Sequence, residues 1–119
     1  MVLSLSCACA GEVIGHPSVK LDAVDIRDVY LGEKQLAGDF RLAPVDNLAA
    51  QEEFLAAVLQ TNLRSYQARW TRKTFREGIR APPVKGSDAE VMSFVRSTPG
   101  ALGYLSGSAG VGVIVLTRF

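Results

Sequence analysis

Cysteine is almost missing from this sequence: Cys7 and Cys9 are the only two in 119 residues, and both fall within the first ten. Residues 11–119 therefore lack the thiols for a disulfide framework, a cysteine-based metal site or a cysteine nucleophile. Histidine occurs once, as His16, with no motif around it, so neither metal binding nor a Ser-His pair is expected. Charge of one sign is missing too. Thirteen basic and twelve acidic side chains leave a net charge of +1, which argues against nucleic acid as a partner. No apolar stretch approaches the ~20 residues that span a bilayer. With 48% apolar and 21% charged residues and a mean hydropathy of +0.17, the biases of disorder, collagen and coiled coil are absent as well. What remains has the composition and length of one globular domain that buries well over half of its unfolded surface.

The charges that are present sit unevenly. Residues 12–53 hold nine acids against four bases, whereas residues 64–118 hold nine bases against Glu77, Asp88 and Glu90. Such asymmetry can attract anions, but Arg64, Arg69, Arg72, Lys73 and Arg76 share one helical stretch, and a solvated basic helix face accounts for them. Met1–Ala10 carries no charge, is mostly small or apolar, and ends Ala8-Cys9-Ala10 before Gly11. It resembles the tail of a secretory signal peptide with a small-residue cleavage site, although the positive start is missing. The expected organisation is a leader remnant over 1–10 and a single domain over 11–119. Lipid attachment at Cys7 or Cys9 is the lesser reading, because Ser4 and Ser6 stand where leucine is preferred.

Strands and helices alternate along the rest. Val13–Pro17 reads as a short buried strand ended by proline, and Asp22 with Asp25 caps a helix that Gly32 stops. Phe40–Val45 reads as a strand with Pro44 at an edge, since proline cannot donate to a ladder. Asp46 or Asn47 is expected to cap the next helix, in which Phe54, Leu55, Val58 and Leu59 form an apolar stripe and Glu52 and Glu53 face water. A further helix over Leu63–Phe75 starts at Thr61 or Asn62, with Leu63, Tyr66 and Trp70 on one side; Tyr66 and Trp70 read as core. Ser87-Asp88-Ala89-Glu90 is a capping box, Thr98-Pro99-Gly100 closes the helix it opens, and Ala101–Leu105 and Val111–Leu116 read as strands. The pattern is that of a layered α/β domain.

The segment Asp25-Ile26-Arg27-Asp28-Val29-Tyr30-Leu31-Gly32, followed later by Gly86-Ser87-Asp88-Ala89-Glu90-Val91-Met92-Ser93-Phe94-Val95 and Thr98-Pro99-Gly100-Ala101-Leu102-Gly103-Tyr104, resembles the phosphate ABC transporter substrate-binding proteins, of the type 2 periplasmic binding protein superfamily. The likeness runs over about residues 12–116 and matches the later part of that family. It implies an α/β fold: one lobe of a two-lobed binding protein, a small mixed sheet flanked by helices, in the periplasm. It also implies a small anion as ligand, an ABC permease or membrane sensor as partner, and no catalysis or cofactor. Because complete family members close two lobes on their anion, a homodimer is a further expectation. The alternative is an envelope interaction or sensory module that uses the same fold without transport.

The resemblance also shows what has been lost. Where the family has an Arg-x-Asp-Gly-Ser-Gly-Thr loop on phosphate, this chain has Pro44-Val45-Asp46-Asn47-Leu48-Ala49-Ala50, so the guanidinium and both hydroxyl donors are gone. Asp46 and Asn47 remain as candidate ligand contacts at a helix start, with capping as the simpler role for Asp46. Lys85-Gly86-Ser87 is the second candidate, a cation, a glycine and a hydroxyl before a helix; Asp88 and Glu90 again make capping the simpler reading. Gly107, Gly110 and Gly112 lead into a strand and form no dinucleotide or phosphate-loop fingerprint. Glu52 and Glu53 are sequence neighbours that do not face one another.

Overall fold

Side chains that alternate along two central strands divide the interior into two cores, one on each face of a single sheet. The computed structural model describes residues 11–119; the expected leader, its cleavage signal and both cysteines lie outside the described residues. Strand β1 (Glu12–Gly15) leads to α1 (Ala23–Tyr30), then to β2 (Leu36–Ala37), β3 (Phe40–Arg41), β4 (Ala43–Pro44) and β5 (Asp46–Asn47). Helix α2 (Gln51–Phe54) runs on as a π-helical segment, Leu55–Leu59, and α3 (Leu63–Glu77), β6 (Val84–Lys85), α4 (Asp88–Ser97), β7 (Ala101–Leu105) and β8 (Ile114–Arg118) follow. The main sheet is ordered β4-β7-β1-β8. It is mixed, because β4 runs parallel to β7 while β1 is antiparallel to both β7 and β8.

Val13, Leu102 and Tyr104 face one side of this sheet and meet Ile26, Tyr30, Phe54, Leu55 and Trp70 from α1, α2, its π-helical continuation and α3. Ile14, Ala101 and Leu105 face the other side, with Val45, Val91 and Val95. The period of two in a strand separates the sets. On the first side Phe54 and Tyr104 stack at 3.9 Å between centroids and 3° between planes. On the second, Gly103 lets α4 approach: a Cβ there would lie 2.6 Å from Val91 Cγ1.

Local signals in the sequence position most helices. Asp22 and Asp25 exchange the two bonds of a capping box, Asn62 caps α3 through Ser65 N at 2.9 Å, and Gly100 follows α4 at φ +82. Pro44 lies on the edge strand, as expected. Four expectations are corrected. Phe40–Val45 is not one strand: Phe40 and Arg41 turn back at Gly38-Asp39 to pair with Ala37 and Leu36, and only then does the chain join the sheet at Ala43. Neither Asp46 nor Asn47 caps α2; Ala50 holds that position and makes no side-chain bond. In the Ser87 box, Ser87 Oγ accepts from Glu90 N at 3.3 Å, but the Glu90 carboxylate takes the Gly86 amide at 2.6 Å rather than that of Ser87. The last strand begins at Ile114 and is only half-buried, since Gly112 at φ +92 holds a turn before it and β8 is an edge.

Candidate functional site

Strand β5 leaves the edge of the main sheet and pairs in parallel with β6, setting Asp46 opposite Val84 and Asn47 opposite Lys85. The two candidate segments of the sequence, 46–47 and 85–87, are thereby brought side by side. Neighbouring residues on a strand point to opposite faces, and here Asp46 and Asn47 go to different places.

Asp46 turns toward α3 and β7. It is 1% exposed; Oδ1 accepts the Tyr104 hydroxyl at 2.6 Å and Oδ2 accepts that of Tyr66 at 2.7 Å. No ion pair among the described residues involves it. Burial pushes its carboxyl up to about 6, and the two phenol bonds pull down less strongly. Both phenols are raised well above the ordinary tyrosine value, first by burial and then by the Asp46 charge, and stay neutral. Asp46, Gln51, Tyr66 and Trp70 form the floor of an open groove of about 680 Å3. Thr71, Thr74 and Phe75 of α3 make one wall, and Ala81, Pro82 and Val84 make the other.

Asn47 turns the other way, and its amide is fully used. Nδ2 donates to Asp88 Oδ1 at 2.8 Å and to Tyr104 O at 2.9 Å, while Oδ1 accepts from Ala49 N at 2.9 Å. Asp88 gathers Ser106 N, Ser106 Oγ and Gly107 N, each at 3.0 Å. Burial alone raises its pKa, but these bonds and that of Asn47 hold it below the usual carboxylate range. Lys85 lies 4.9 Å from the centroid of the Phe94 ring, a cation-π distance. Gly86 N is bonded to Glu90 and Ser87 caps α4. Asp46 alone of the five candidates borders the groove.

Three amides of the loop after β5 donate within the protein. Leu48 N donates to Lys85 O, Ala49 N to Asn47 Oδ1, and Ala50 N to Asn47 O. Glu52 and Glu53 stand in the first turn of α2 and place negative charge where an anion would need positive. Bases gather elsewhere: Lys34, Arg41 and Arg80 border a separate cavity of about 500 Å3 that Asp46 does not reach. Arg69 and Lys73 of the basic helix pair with Glu33.

The sequence reading missed Tyr66, Tyr104, Trp70 and Gln51 as groups around Asp46. The available signal was an acid placed directly after the buried Val45, together with tyrosines on the apolar face of α3 and in the apolar strand β7.

No protein-family model and no curated protein matches the sequence. Solved structures do. An ABC-type phosphate transport receptor from Vibrio cholerae aligns at TM-score 0.57 and 15% identity, over 91% of this chain and 45% of that one. A protein from Clostridium perfringens, described as a phosphate ABC transporter substrate-binding protein with bound phosphate, aligns at TM-score 0.67 and 16% identity, over 91% and 44%. PstS from Borrelia burgdorferi aligns at TM-score 0.59 and 17% identity, over 92% and 47%. The chain spans less than half the length of each and has the fold of a lobe of such proteins.

Proposed function

We propose that this chain is a solute-binding lobe of the periplasmic type whose phosphate loop has lost its function, and that it binds a solute rather than catalysing a reaction. The fold it shares with phosphate-binding proteins supports the first part. One observation carries the loss of the phosphate loop: the amides of Leu48, Ala49 and Ala50 all donate within the protein, and Pro44, Leu48 and Ala50 supply no side-chain donor. An anion leaving water must recover its hydrogen bonds, and charge-assisted ones are worth about 1.5–3 kcal/mol each. One guanidinium and two hydroxyls fewer removes on the order of 4 kcal/mol, or about a thousandfold in affinity. Export, a permease or sensor as partner, and pairing with a second lobe belong to the same proposal.

Isothermal titration with orthophosphate at low salt tests it, with sulfate for comparison. The expected dissociation constant is no tighter than about millimolar. Micromolar binding refutes the lost-loop reading. Repeating the titration on Arg41→Ala/Arg80→Ala assigns any weak affinity that remains to the basic cavity. Pro44→Arg, Leu48→Ser and Ala50→Thr together are expected to tighten phosphate binding.

A further inference from the structure

The Asp46 groove holds a charge that no basic group among the described residues matches. Each carboxylate oxygen takes one phenol bond, and an ionised carboxylate offers about four acceptor positions, so about half of its capacity is unused where the carboxylate, 1% exposed, borders the groove. The titratable groups that face it are Tyr66 from α3, Tyr104 from β7 and Tyr30 from α1, all raised first by burial and neutral. No Lys, Arg or His among the described residues pairs with it, and residues 1–10 contain no basic side chain. Two neutral phenols do not offset the burial of this carboxylate.

The space in front of it has the opposite character from an anion site. No lysine or arginine lines the groove, and about 680 Å3 falls within the ~300–1,000 Å3 of small-molecule sites. Its rim is apolar and open: Phe75 is 91% exposed and Val84 54%. A hard metal ion is a poor occupant, because calcium and magnesium need about six or more oxygen ligands and the groove offers one carboxylate. A quaternary ammonium would leave the open acceptor positions of Asp46 without donors. A primary ammonium supplies three.

We propose that this groove binds a small organic cation, a primary amine with an apolar body, whose ammonium donates to the Asp46 carboxylate while its hydrocarbon covers Trp70, Phe75 and Val84. The inference rests on the solute-binding reading and names a ligand class opposite in charge to phosphate. Burial strengthens such an ion pair relative to water, and the apolar body gives up its hydration against the groove walls.

Titration calorimetry with 2-phenylethylamine at about pH 8, where the amine is protonated and Asp46 ionised, tests the proposal against 2-phenylethanol and 3-phenylpropionate. The amine is expected to bind at least about tenfold tighter than the alcohol, and the carboxylate not at all. Its affinity should fall as the pH drops through about 6, because protonation removes the partner charge. Asp46→Asn should lose that charge-dependent part of the affinity. Thr71→Trp, at an exposed position of α3 that borders the groove, should block binding while leaving the melting temperature unchanged, so the test does not hang on a buried substitution. Equal binding of amine and alcohol, no amine binding, or a pH-independent affinity overturns the proposal. Orthophosphate titrated in the same series keeps the two readings apart. Micromolar phosphate binding refutes the lost-loop reading, whereas silence of both ligands refutes only the cation site.

Discussion

Replacing Asp46 by asparagine should change how the stability of this protein depends on pH, in a direction opposite to that of most carboxylates. The folded-state value of Asp46 is about 6 against an ordinary 3.8, so between these values the folded chain holds a proton that the unfolded chain has released. Stability therefore falls as pH rises through this window, and it is regained as pH drops. The displacement corresponds to about 3 kcal/mol at ~1.36 kcal/mol per pH unit. Asp88 runs the other way: its bonds to Ser106, Asn47 and Gly107 outweigh burial and lower its pKa, so its contribution is lost on acidification. Comparing wild type with Asp46→Asn removes that background, since both proteins keep Asp88. Urea unfolding followed by the fluorescence of Trp70, the only tryptophan, gives the two profiles. Wild type should gain on the variant by up to about 3 kcal/mol as the pH falls from about 7 to about 4. Profiles that stay parallel within about 0.5 kcal/mol would refute the claim that a buried, unmatched carboxylate sits at the base of the groove.

Gly100→Val should destabilise the fold by about 2 kcal/mol or more, because the residue stands at φ +82 and its Cβ would lie 2.4 Å from Arg41 O; an unchanged denaturation midpoint contradicts the turn. Asn47→Ala should cost about 2–4 kcal/mol by breaking three side-chain bonds, while leaving the weak phosphate affinity unaltered. A large change in that affinity at unchanged stability would return Asn47 to the role of a ligand contact.

What the sequence made legible is mostly what a few neighbouring residues decide. Capping at Asp22, Asn62 and Ser87, the left-handed turn at Gly100 and the edge position of Pro44 each depend on a side chain and the backbone within a few residues of it. Ala101–Leu105 was readable as a strand because it is a five-residue run without charge, bounded by Pro99-Gly100 before it and Ser106 after it. Two-residue pairings cannot show a period. Thus the pairing of β3 with β2 was hidden inside the apparent strand Phe40–Val45, and that of β5 with β6 behind an expected helix cap. The π-helical segment after Phe54 keeps the same apolar stripe as an α-helix would, so hydrophobic spacing did not distinguish them.

The site was harder to read because its chemistry depends on which way two adjacent polar residues point. Asp46 and Asn47 both suit a helix cap by residue type, and local propensity favours that role. Tertiary partners override it. Tyr66 and Tyr104 lie 20 and 58 residues away in the chain and claim the Asp46 carboxylate, while Asp88, 41 residues away, claims Asn47. The consequence couples the two halves of the functional argument. Asn47 joins β5 to the start of α4 and the end of β7, and in doing so its side chain and carbonyl occupy the Ala49 and Ala50 amides, donors that an anion at this loop would need. The same strand alternation then leaves Asp46 facing the groove on the other side, with negative charge and spare acceptors. The proposed loss of anion recognition in this loop and the proposed cation site in the groove are thus two faces of one two-residue strand.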